Sequence, residues 1–478
     1  MPTGPMPRLA RLVLVLGVLL AACGPITTAS PTANPSGSDG PSIGPLGQID
    51  AAGIESDLEA LEAIAEANGG VRTAGTPGYE ASVEYVAGEL RGLGYAVQTP
   101  AFEMATFAEE PGASIRIGSG GASFVAGPDF HAMIYSAAGD LTARIVEVGE
   151  GTDESGGCAA SDFADFPRGA IALAPPGPCF RRDAVLNAVA AGAVALISPY
   201  PQWSTGSVRR PTLLFPEGME IPAISASAEA GEALRAAADA RRQVTISVHT
   251  VIGTATVRNV IAEWHAVAED VVMLGGHLDS VHDGPGINDN GSGVAALLEV
   301  ARVLAEDHPS VRVRLAFWAG EEFGLLGSRQ WTEALRSAER AEITAYLNLD
   351  MLGSPNYVPL VYDSSSAAPG SAQITDFLVG FLEEAGIGAE PADLGGSSDH
   401  APFDALGIPT GGIFSGATEP KTAAQAAEFG GTADAAMDAC YHLACDTLAN
   451  VDVDVVASFA RAALALAVAI ASGQLPLS

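Results

Sequence analysis

The chain has 478 residues, with 23 lysines and arginines against 57 aspartates and glutamates, and a formal net charge of −34. The length suggests two or three folding units, and a hydrophobic content of 48% excludes a wholly disordered chain. The acidity argues against a nucleic-acid binder, which needs basic side chains facing phosphates. Lys421 is the only lysine, so the chain has no lysine-rich patch for anionic lipids. If the functional site needs positive charge, we expect it to bind cations from solution, for example metal ions.

Residues 1–22 have the layout of a secretory signal peptide, with two arginines before the apolar run Leu12–Leu20. This run is too short to span a bilayer. It ends in Leu-Ala-Ala-Cys, which resembles a bacterial lipobox, so that cleavage would leave Cys23 as a lipidated first residue. The alternative is an ordinary secretory signal with an incidental cysteine. Residues 23–50 are rich in Pro, Ser, Gly and Thr and are predicted to form a flexible tether.

These signals predict an exported protein, either a cell-envelope lipoprotein anchored to the outside of a membrane or a secreted one. In an oxidising compartment the other four cysteines can pair. We predict the disulfides Cys158–Cys179 and Cys440–Cys445, one of three connectivities, because each pair lies within one predicted domain. A zinc site built from the four cysteines is the rival, but their spacings contain no Cys-x-x-Cys pair.

The first predicted elements are helical. Residues 55–94 are predicted to form two helices separated by Thr76-Pro77-Gly78, because apolar residues recur at helical spacing on both sides. The run Tyr95–Phe102 is predicted to be a strand. From about residue 105 to 250, short β-rich runs alternate with Gly/Pro-rich loops, and one helix is predicted over Asp183–Ala191, leading into Ala193–Ile197. The β-rich runs include Ile115–Ile117, Ile145–Val148 and Ile171–Ala174.

After Val257 the predicted strands alternate with helices. This pattern predicts an α/β fold with a mixed, largely parallel central sheet flanked by helices. In such sheets functional groups gather at the carboxyl ends of the strands. The predicted strands are Val260–Trp264, Val271–Leu274, Val311–Trp318 and Ile343–Leu349, and the predicted helices are Gly293–Leu304 and Leu325–Ala334.

Acidic and imidazole side chains stand at the ends of these elements. Each alone is an ordinary polar residue, but gathered at one sheet edge they would be poorly satisfied without a cation. A mixed set of imidazoles and carboxylates without thiolates suits zinc in a hydrolytic site. Five ligands are too many for one catalytic zinc, so a pair of ions sharing one carboxylate fits better. The candidates are His277, Asp289, Glu321 or Glu322, Asp350 and His442.

The adjacent glutamates suggest a division of labour, in which one binds metal and the other takes a proton from the attacking water. Their spacing does not say which is which. Asp279, two residues after His277, is predicted to accept the second imidazole N–H of that histidine and fix its tautomer. A plain turn-forming aspartate is the alternative for Asp279.

Six short motifs carry these residues: Gly276-His277-Leu278-Asp279-Ser280, Gly286-Ile287-Asn288-Asp289-Asn290-Gly291-Ser292-Gly293, Ala319-Gly320-Glu321-Glu322-Phe323-Gly324-Leu325-Leu326-Gly327-Ser328, Leu347-Asn348-Leu349-Asp350-Met351, Ser398-Asp399-His400-Ala401-Pro402-Phe403 and Cys440-Tyr441-His442-Leu443-Ala444-Cys445-Asp446. Together they resemble the di-zinc aminopeptidases of the M28 peptidase family, with most likeness to secreted Streptomyces-type leucine aminopeptidases. The resemblance covers residues 68–93 and 257 to about 470.

The resemblance implies a role for each residue. His277 and Asp350 would hold one zinc, Glu322 and His442 the other, and Asp289 would bridge them. Glu321 would be the general base, and Tyr441 would donate to the oxyanion of the tetrahedral intermediate. The family also often has a non-proline cis peptide after the bridging aspartate, here Asp289–Asn290.

The inserted region resembles a protease-associated (PA) domain in its segments Asp165–Leu173, Pro178–Phe180 and Asn187–Ala193. Such domains are thought to cover or steer access to the site, so no catalytic residue is assigned there. The implied fold is a zinc-exopeptidase domain, residues 51–110 and 251–478, interrupted by a β-rich PA domain, residues 111–250.

Two features of the family are uncertain in this sequence. The chain has Gly396-Ser397-Ser398-Asp399-His400 where the Streptomyces-type enzymes have Gly-Arg-Ser-Asp-His, so any contact from that arginine is lost. A calcium site could use Asp452 and Asp454, although a solvated turn is the simpler interpretation.

The predicted function is hydrolysis of the first bond of a peptide, with two zinc ions per chain and a preference for hydrophobic first residues. Met351, Leu352 and Phe414 are candidates for the pocket, with the core as their alternative role. The expected partners are peptide or protein N-termini and a membrane through Cys23, and the chain is expected to be a monomer. A glutaminyl-cyclase-like acyltransferase with one zinc, and a non-catalytic peptide-binding lipoprotein, are the alternatives.

Overall fold

The structure is a computed structural model that describes residues 49–148, 156–200, 208–264, 270–307, 311–363 and 367–477. The predicted signal peptide and Cys23 lie outside the described residues, as does nearly all of the predicted tether. Ile49 and Asp50, which the sequence placed in the tether, belong to the folded part. Ile49 is buried, and the carboxylate of Asp50 accepts the N–H of Ala52 and caps the first helix.

The described residues form eleven α-helices and eighteen strands. The helices are α1 (Ala51–Ala67), α2 (Pro77–Gly92), α3 (Arg181–Ala191), α4 (Ala228–Asp239), α5 (Gly293–Asp307), α6 (Leu326–Glu333), α7 (Ser337–Glu342), α8 (Ser371–Glu384), α9 (Ala401–Ala405), α10 (Ala423–Phe429) and α11 (Val453–Ala471). The strands are β1 (Ala96–Gln98), β2 (Ala101–Glu109), β3 (Ser114–Ile117), β4 (Ser123–Val125), β5 (Phe130–Ala132), β6 (Gly139–Glu147), β7 (Ile171–Leu173), β8 (Ala195–Pro199), β9 (Ala223–Ala226), β10 (Gln243–Val248), β11 (Thr250–Arg258), β12 (Val260–Glu263), β13 (Val271–His277), β14 (Val313–Trp318), β15 (Ile343–Leu349), β16 (Leu360–Tyr362), β17 (Glu390–Ala392) and β18 (Thr410–Phe414).

A mixed sheet in the order β1-β12-β14-β13-β15-β18-β16-β17 forms the centre of the main domain. Its inner strands β14, β13, β15 and β18 run parallel to one another. The pairings of β1 with β12, β12 with β14 and β16 with β18 are antiparallel. The predicted α/β fold with a mixed, largely parallel sheet is therefore confirmed.

Strand β13 shows why this sheet is covered on both faces. Val272 and Leu274 belong to the large core under the helices, whereas Val271 and Met273 face a second cluster that contains Trp318 and Phe403. Successive side chains of a strand point to opposite faces, so a strand that is covered on both sides reads as one continuous apolar run.

Helix α11 is the most apolar helix packed on the sheet. Its 19 residues have a mean hydropathy of 2.0, which would suit a membrane span by length and composition alone. In the structure it packs against α1, α5, α8 and β13, and most of its side chains are buried. Its apolar character is explained by its position in the core.

The inserted region has its own sheet, in the order β4-β3-β10-β6-β7-β8-β9-β5, with α3 and α4 packed beside it. Strands β2 and β11 pair over their whole lengths as a two-stranded ribbon that carries the chain into and out of this region. The predicted Cys158–Cys179 disulfide is formed, with a Cα–Cα distance of 5.6 Å. The exact boundaries given for the two domains stay a prediction.

One predicted element is wrong. The run Tyr95–Phe102 was expected to be a single strand, but the structure ends β1 at Gln98 and begins β2 at Ala101. Pro100 stands between them and has no N–H to donate to a neighbouring strand. The chain therefore leaves the central sheet at this point and enters the ribbon.

Candidate metal centre

The predicted ligands lie at the carboxyl end of the parallel strands. His277 is the last residue of β13, Glu321 and Glu322 follow β14, and Asp350 follows β15. Asp289 lies in the turn before α5. The fifth ligand, His442, comes from far along the chain, in the loop between Cys440 and Cys445. That loop is closed by the predicted disulfide, with a Cα–Cα distance of 5.3 Å.

Asp289 stands at the centre of two groups of ligand atoms. Its Oδ1 lies 3.2 Å from Nε2 of His277, and the same nitrogen lies 3.3 Å from Oδ1 of Asp350. Its Oδ2 lies 3.1 Å from Nε2 of His442, which lies 3.2 Å from Oε2 of Glu322. Within each group the ligand atoms lie within 4.8 Å of one another. One carboxylate therefore joins two three-residue groups.

The chemistry of this donor set fits metal cations. Oε1 of Glu322 is buried and, within the described residues, has no hydrogen-bond partner, which is a costly state for a carboxylate oxygen. Burial lowers the pKa of His442, but the charges and hydrogen bonds of Glu322 and Asp289 outweigh it and raise this pKa to about 10. The centre therefore has a strong negative potential that a divalent cation would neutralise.

The two neighbouring glutamates have different surroundings. Glu322 belongs to the group of Asp289 and His442 and also to a third group, with His277 and Glu321. Among the described residues, Glu321 occurs in this third group alone. The N–H of Glu321 donates to Oδ1 of Asp279 over 3.2 Å, which anchors the loop after β14.

Asp279 contacts His277 differently from the prediction. Nδ1 of His277 lies 3.1 Å from the main-chain oxygen of Asp279, while the nearest carboxylate oxygen is 3.9 Å away. The main-chain carbonyl is thus the acceptor that can fix the tautomer. The carboxylate instead accepts the N–H of Glu321, so it positions the neighbouring loop.

A buried polar network positions the turn that carries Asp289. The carboxylate of Asp446 accepts the N–H groups of Asn288 and Asp289, at 2.8 and 3.0 Å. Arg72 is fully buried and donates to the main-chain oxygens of Leu278, Pro285 and Gly286. The peptide bond Asp289–Asn290 is cis, as the family resemblance implied.

Asp350 and His442 are also held by neighbouring groups. The hydroxyl of Ser398 donates to Oδ2 of Asp350 over 2.6 Å and accepts from the amide of Asn348 over 2.8 Å. The ring of Tyr441 stacks on His442 with centroids 3.8 Å apart. Burial, together with Asp289 and Glu322, raises the pKa of Tyr441 well above its ordinary value, so its hydroxyl stays a proton donor.

A cavity of about 490 Å³ opens onto this centre. The main domain contributes residues that include Glu321, Glu322, Tyr441 and His442 to its wall, and the inserted region contributes another part of the wall. The lining residues of the inserted region are Ile134, Cys179, Phe180, Arg181, Tyr200, Arg209, Arg210, Pro211, Thr212 and Leu214. The two regions together therefore line the cavity beside the candidate metal centre.

Comparison with known proteins agrees with this architecture. Residues 259–467 match Peptidase family M28, and residues 141–234 match the PA domain. The chain is 39% identical over 421 residues to an aminopeptidase of Pseudomonas aeruginosa, covering 85% of this chain and 78% of that protein. The chain belongs to peptidase family M28.

Other M28 relatives extend the comparison. The chain is 37% identical over 467 residues to the Mycobacterium tuberculosis protein named "Probable lipoprotein aminopeptidase LpqL", covering 94% of this chain and 90% of that protein. Among solved structures, an aminopeptidase from Aneurinibacillus sp. strain AM-1 aligns with a TM-score of 0.72 at 26% identity, over 89% of this chain and 95% of that one. A zinc aminopeptidase from Bacillus subtilis aligns with a TM-score of 0.66 at 25% identity, over 88% and 95% of the chains. The predicted metallopeptidase class and PA-type insert are confirmed by this membership.

The predicted pocket residues of this M28 peptidase are not among the described residues that line this cavity. Met351 and Leu352 are 3% and 0% exposed, and the N–H groups of both bond to side chains of the Asp289 turn region. Phe414 packs with Val358 and Leu360. None of the three is among the described residues that line the cavity, and their role in a substrate pocket stays a prediction. Apolar residues directly after a buried strand continue into the core, which sequence proximity to Asp350 does not reveal.

The calcium candidates of the M28 domain have a structural role. The carboxylate of Asp452 accepts the N–H of Val455 over 3.2 Å and caps helix α11. Asp454 lies in the first turn of that helix. The groups of three or more potential ligands found among the described residues contain neither aspartate, and calcium stays a prediction.

Sequence reasoning missed the part of the site that comes from the insert. Arg181, Arg209 and Tyr200 line the cavity, although more than 100 residues separate them from the nearest glutamate ligand. No local pattern marks them. The available signal was the composition of the chain. Basic residues are few compared with acidic ones, so each arginine of the insert could have been considered as a candidate for the site.

One ion-pair cluster fastens the insert to the peptidase domain. Arg210 of the insert donates from Nε and Nη2 to the two carboxylate oxygens of Asp283, at 2.9 and 3.1 Å. Its Nη1 donates to Glu109 at the end of β2, over 2.8 Å. Nδ1 of His131 lies beside both the carboxylate of Glu109 and the guanidinium of Arg210. Burial alone would raise the pKa of each carboxyl, but Arg210 lowers the pKa of Asp283, and His131 with Arg210 lowers that of Glu109.

Replacing Arg210 with Met should lower the free energy of unfolding by roughly 3 kcal/mol at pH 7, because two largely buried carboxylates lose their cation. Both carboxyl pKa values are lower in the folded protein than the unfolded value of about 4. The stability from the cluster is therefore complete above that pH and is lost as the pH falls through the lowered values. Urea unfolding at pH 7 and at about pH 3.5 should show the difference between wild type and variant shrinking in acid.

The matched control is Arg235→Met in the same inserted region. Arg235 pairs with Glu147 at 3.7 Å, with side chains that are 45% and 35% exposed. An exposed pair of this kind is worth about 1 kcal/mol or less. Equal losses in the two variants, or a loss for Arg210→Met that does not change with pH, would contradict this role of the cluster.

Proposed function

We propose that the chain is an exported aminopeptidase that uses two zinc ions to remove the N-terminal residue of a peptide. The observation that carries the proposal is the pair of ligand groups that share Asp289, beside a cavity that Glu322 and His442 line. The names of the relatives, which include a zinc aminopeptidase among the solved structures, support it. Metal-dependent hydrolysis of a peptide bond fits both lines of support.

The proposed ligands divide between two zinc positions according to the two groups of neighbouring side chains that share Asp289. His277 and Asp350 would hold one zinc, Glu322 and His442 the other, and Asp289 would contact both. Bound zinc supplies Lewis-acid chemistry, which polarises the scissile carbonyl and lowers the pKa of water. Carboxylates of the same centre would hold the substrate's terminal ammonium group, which limits cleavage to the first bond.

Glu321 is proposed as the general base. It would take a proton from the attacking water as the oxygen–carbon bond forms, and return it to the leaving amine as the carbon–nitrogen bond breaks. Tyr441, whose hydroxyl remains protonated, would donate a hydrogen bond to the developing oxyanion. Asp279 would position the loop of Glu321 through the N–H that it accepts.

A preference for hydrophobic first residues remains part of the proposal, with further candidate residues. Ile134, Phe180, Leu214 and Val281 line the cavity and offer apolar surface. Most of these apolar groups come from the insert, so the PA domain would contribute to specificity. Met351, Leu352 and Phe414, which are not among the lining residues, stay pocket candidates on the sequence alone.

The organisation of the whole chain is proposed from its sequence. Residues 51–110 and 251–478 would form the peptidase domain and residues 111–250 the PA domain. Cys23 would carry a lipid that anchors a monomeric protein to the outside of a membrane. The lipoprotein named among the relatives supports this location.

The test is an assay of the purified full-length protein on leucine, phenylalanine and lysine p-nitroanilides and on peptides with an N-terminal glutamine. We expect cleavage of the hydrophobic substrates, loss of activity with a chelator, recovery with zinc, and two zinc ions per chain. One zinc ion per chain with cyclisation of the glutaminyl peptides would overturn the proposal in favour of an acyltransferase. No turnover of any substrate with zinc restored would favour a binding protein.

A further inference from the structure

The wall of the active-site cavity has an unusual charge for this protein. Acidic residues outnumber basic ones by 57 to 23 in the chain, yet four arginines line this one cavity: Arg181, Arg209, Arg210 and Arg329. Its acidic lining residues are Asp283, Glu321 and Glu322. Two of these acids belong to the metal centre, and the third is bonded to Arg210. Arg181, Arg209 and Arg329 are the other arginines of this wall and form what we call the positive patch beside the centre. Of these three, Arg209 also donates to the hydroxyl oxygen of Thr418.

The contacts of two of these arginines leave their charge available. The Arg181 guanidinium donates to the main-chain oxygens of Gly177 and Cys179, which orient it without neutralising it. Arg329 lies 5.7 Å from the ring centre of Phe215. Neither Arg181 nor Arg329 forms an ion pair with another described residue. A cation held in place by carbonyls and an aromatic ring is prepared to receive an anion.

The patch adjoins the metal centre. The Arg209 guanidinium lies 5.2 Å from the ring centre of Tyr441, and that ring stacks on His442. Burial raises the pKa of Tyr200, and the charges of Arg181 and Arg209 oppose that rise, which places both guanidinium groups near the same phenol. Acidic side chains of the candidate metal centre and positively charged arginines thus line the same cavity.

A peptide substrate carries complementary charges. Its terminal ammonium lies at the bond to be cleaved, and a carboxylate one or two residues further along lies only about 3.3–3.6 Å further per residue. A cavity of about 490 Å³ is the size of small-molecule sites, and the insert lines part of it. Arginine binds carboxylates through paired hydrogen bonds.

We propose that Arg181 and Arg329, with Arg209 beside them, bind a substrate carboxylate located just after the scissile bond. This rests on the proposed aminopeptidase function and makes it specific: the preferred substrates are short peptides with a carboxylate at the second or third position. That carboxylate is either the free C-terminus of a dipeptide or tripeptide, or the side chain of an acidic residue.

The test compares substrates that differ only in this carboxylate, using the full-length protein. Leu-Ala is compared with Leu-Ala-amide for the C-terminal carboxylate, and Leu-Glu-amide with Leu-Gln-amide for a side-chain carboxylate. We expect kcat/KM to be about 10-fold or more higher for the charged member of at least one pair, because a charge-assisted bond to arginine is lost in the other. Whichever pair shows the preference identifies the source of the carboxylate.

The variants Arg181→Gln and Arg329→Gln, singly and together, should reduce that ratio towards one. Arg235→Gln, in the insert but on an exposed ion pair, should leave the ratio at the wild-type value. A wild-type ratio near one for both pairs, or a wild-type ratio in the double variant, would overturn the inference. Leucine p-nitroanilide distinguishes failure of this inference from failure of the proposed aminopeptidase function. If the wild type does not cleave this substrate, the proposed function itself is overturned.

Discussion

Replacing Glu321 with Gln is expected to lower kcat by about 10²–10⁴-fold while the zinc content stays at the wild-type level. The amide keeps the shape of the carboxylate but cannot accept a proton from water. Glu321 lies in the loop after β14, with its N–H held by Asp279. It is absent from the two groups that contain Asp289, although it lies within ligand distance of His277 and Glu322. Steady-state kinetics on leucine p-nitroanilide and metal analysis of the same preparation measure both quantities.

The neighbouring residue provides the sharpest comparison. Glu322→Gln should lose zinc as well as turnover, since Oε2 of Glu322 lies 3.2 Å from Nε2 of His442. Glu428→Gln, on the exposed surface of α10, should change neither property. Full activity of Glu321→Gln would exclude it as the base, and loss of zinc from that variant would make it a ligand instead.

Replacing Asp289 with Ala is expected to abolish activity and reduce the zinc content to one ion per chain or fewer. The two oxygens of Asp289 face different histidines, at 3.2 and 3.1 Å. Removing this side chain leaves each group with two protein ligands, fewer than the three that hold a catalytic zinc in proteins. Zinc content by mass spectrometry and thermal stability with and without added zinc are the measurements.

Two further variants control this experiment. Asp350→Ala removes a ligand from one group only, so it should retain about half of the zinc. Asp376→Asn, exposed on helix α8, should behave as the wild type in zinc content and in thermal shift. A variant at Asp289 that still binds two zinc ions would show that the carboxylate does not bridge them.

The strand ends were the most predictable part of the site. The apolar runs Val271–Leu274 and Ile343–Leu349 are covered on both faces, so the sequence marks where each strand lies. His277 is the last residue of β13, and Asp350 follows β15 directly. Parallel neighbours place their carboxyl ends at one edge. The approximate positions of these ligands could therefore be predicted from local pattern alone.

Contacts between distant segments were not predictable in the same way. The main-chain oxygen of Asp279, rather than its carboxylate, faces His277, because the direction of a turn depends on what packs behind it. Met351 directly follows Asp350, but the bond from its N–H to the side chain of Asn290 has no sign in the sequence. Pro100 divided a predicted strand between two sheets, although both halves alternate as strands do.

The sequence by itself determined the alternating α/β pattern after Val257, the candidate ligands at the strand ends and the residues of the two disulfides, because these features depend on neighbours in the chain. The tertiary structure alone decided which other residues line the cavity beside the candidate ligands. Arg181, Arg209 and Arg329 reach the cavity from α3, from a loop of the insert and from α6. Their meeting depends on how the insert packs against the peptidase domain, and hydrophobic periodicity within either segment carries no information about that packing.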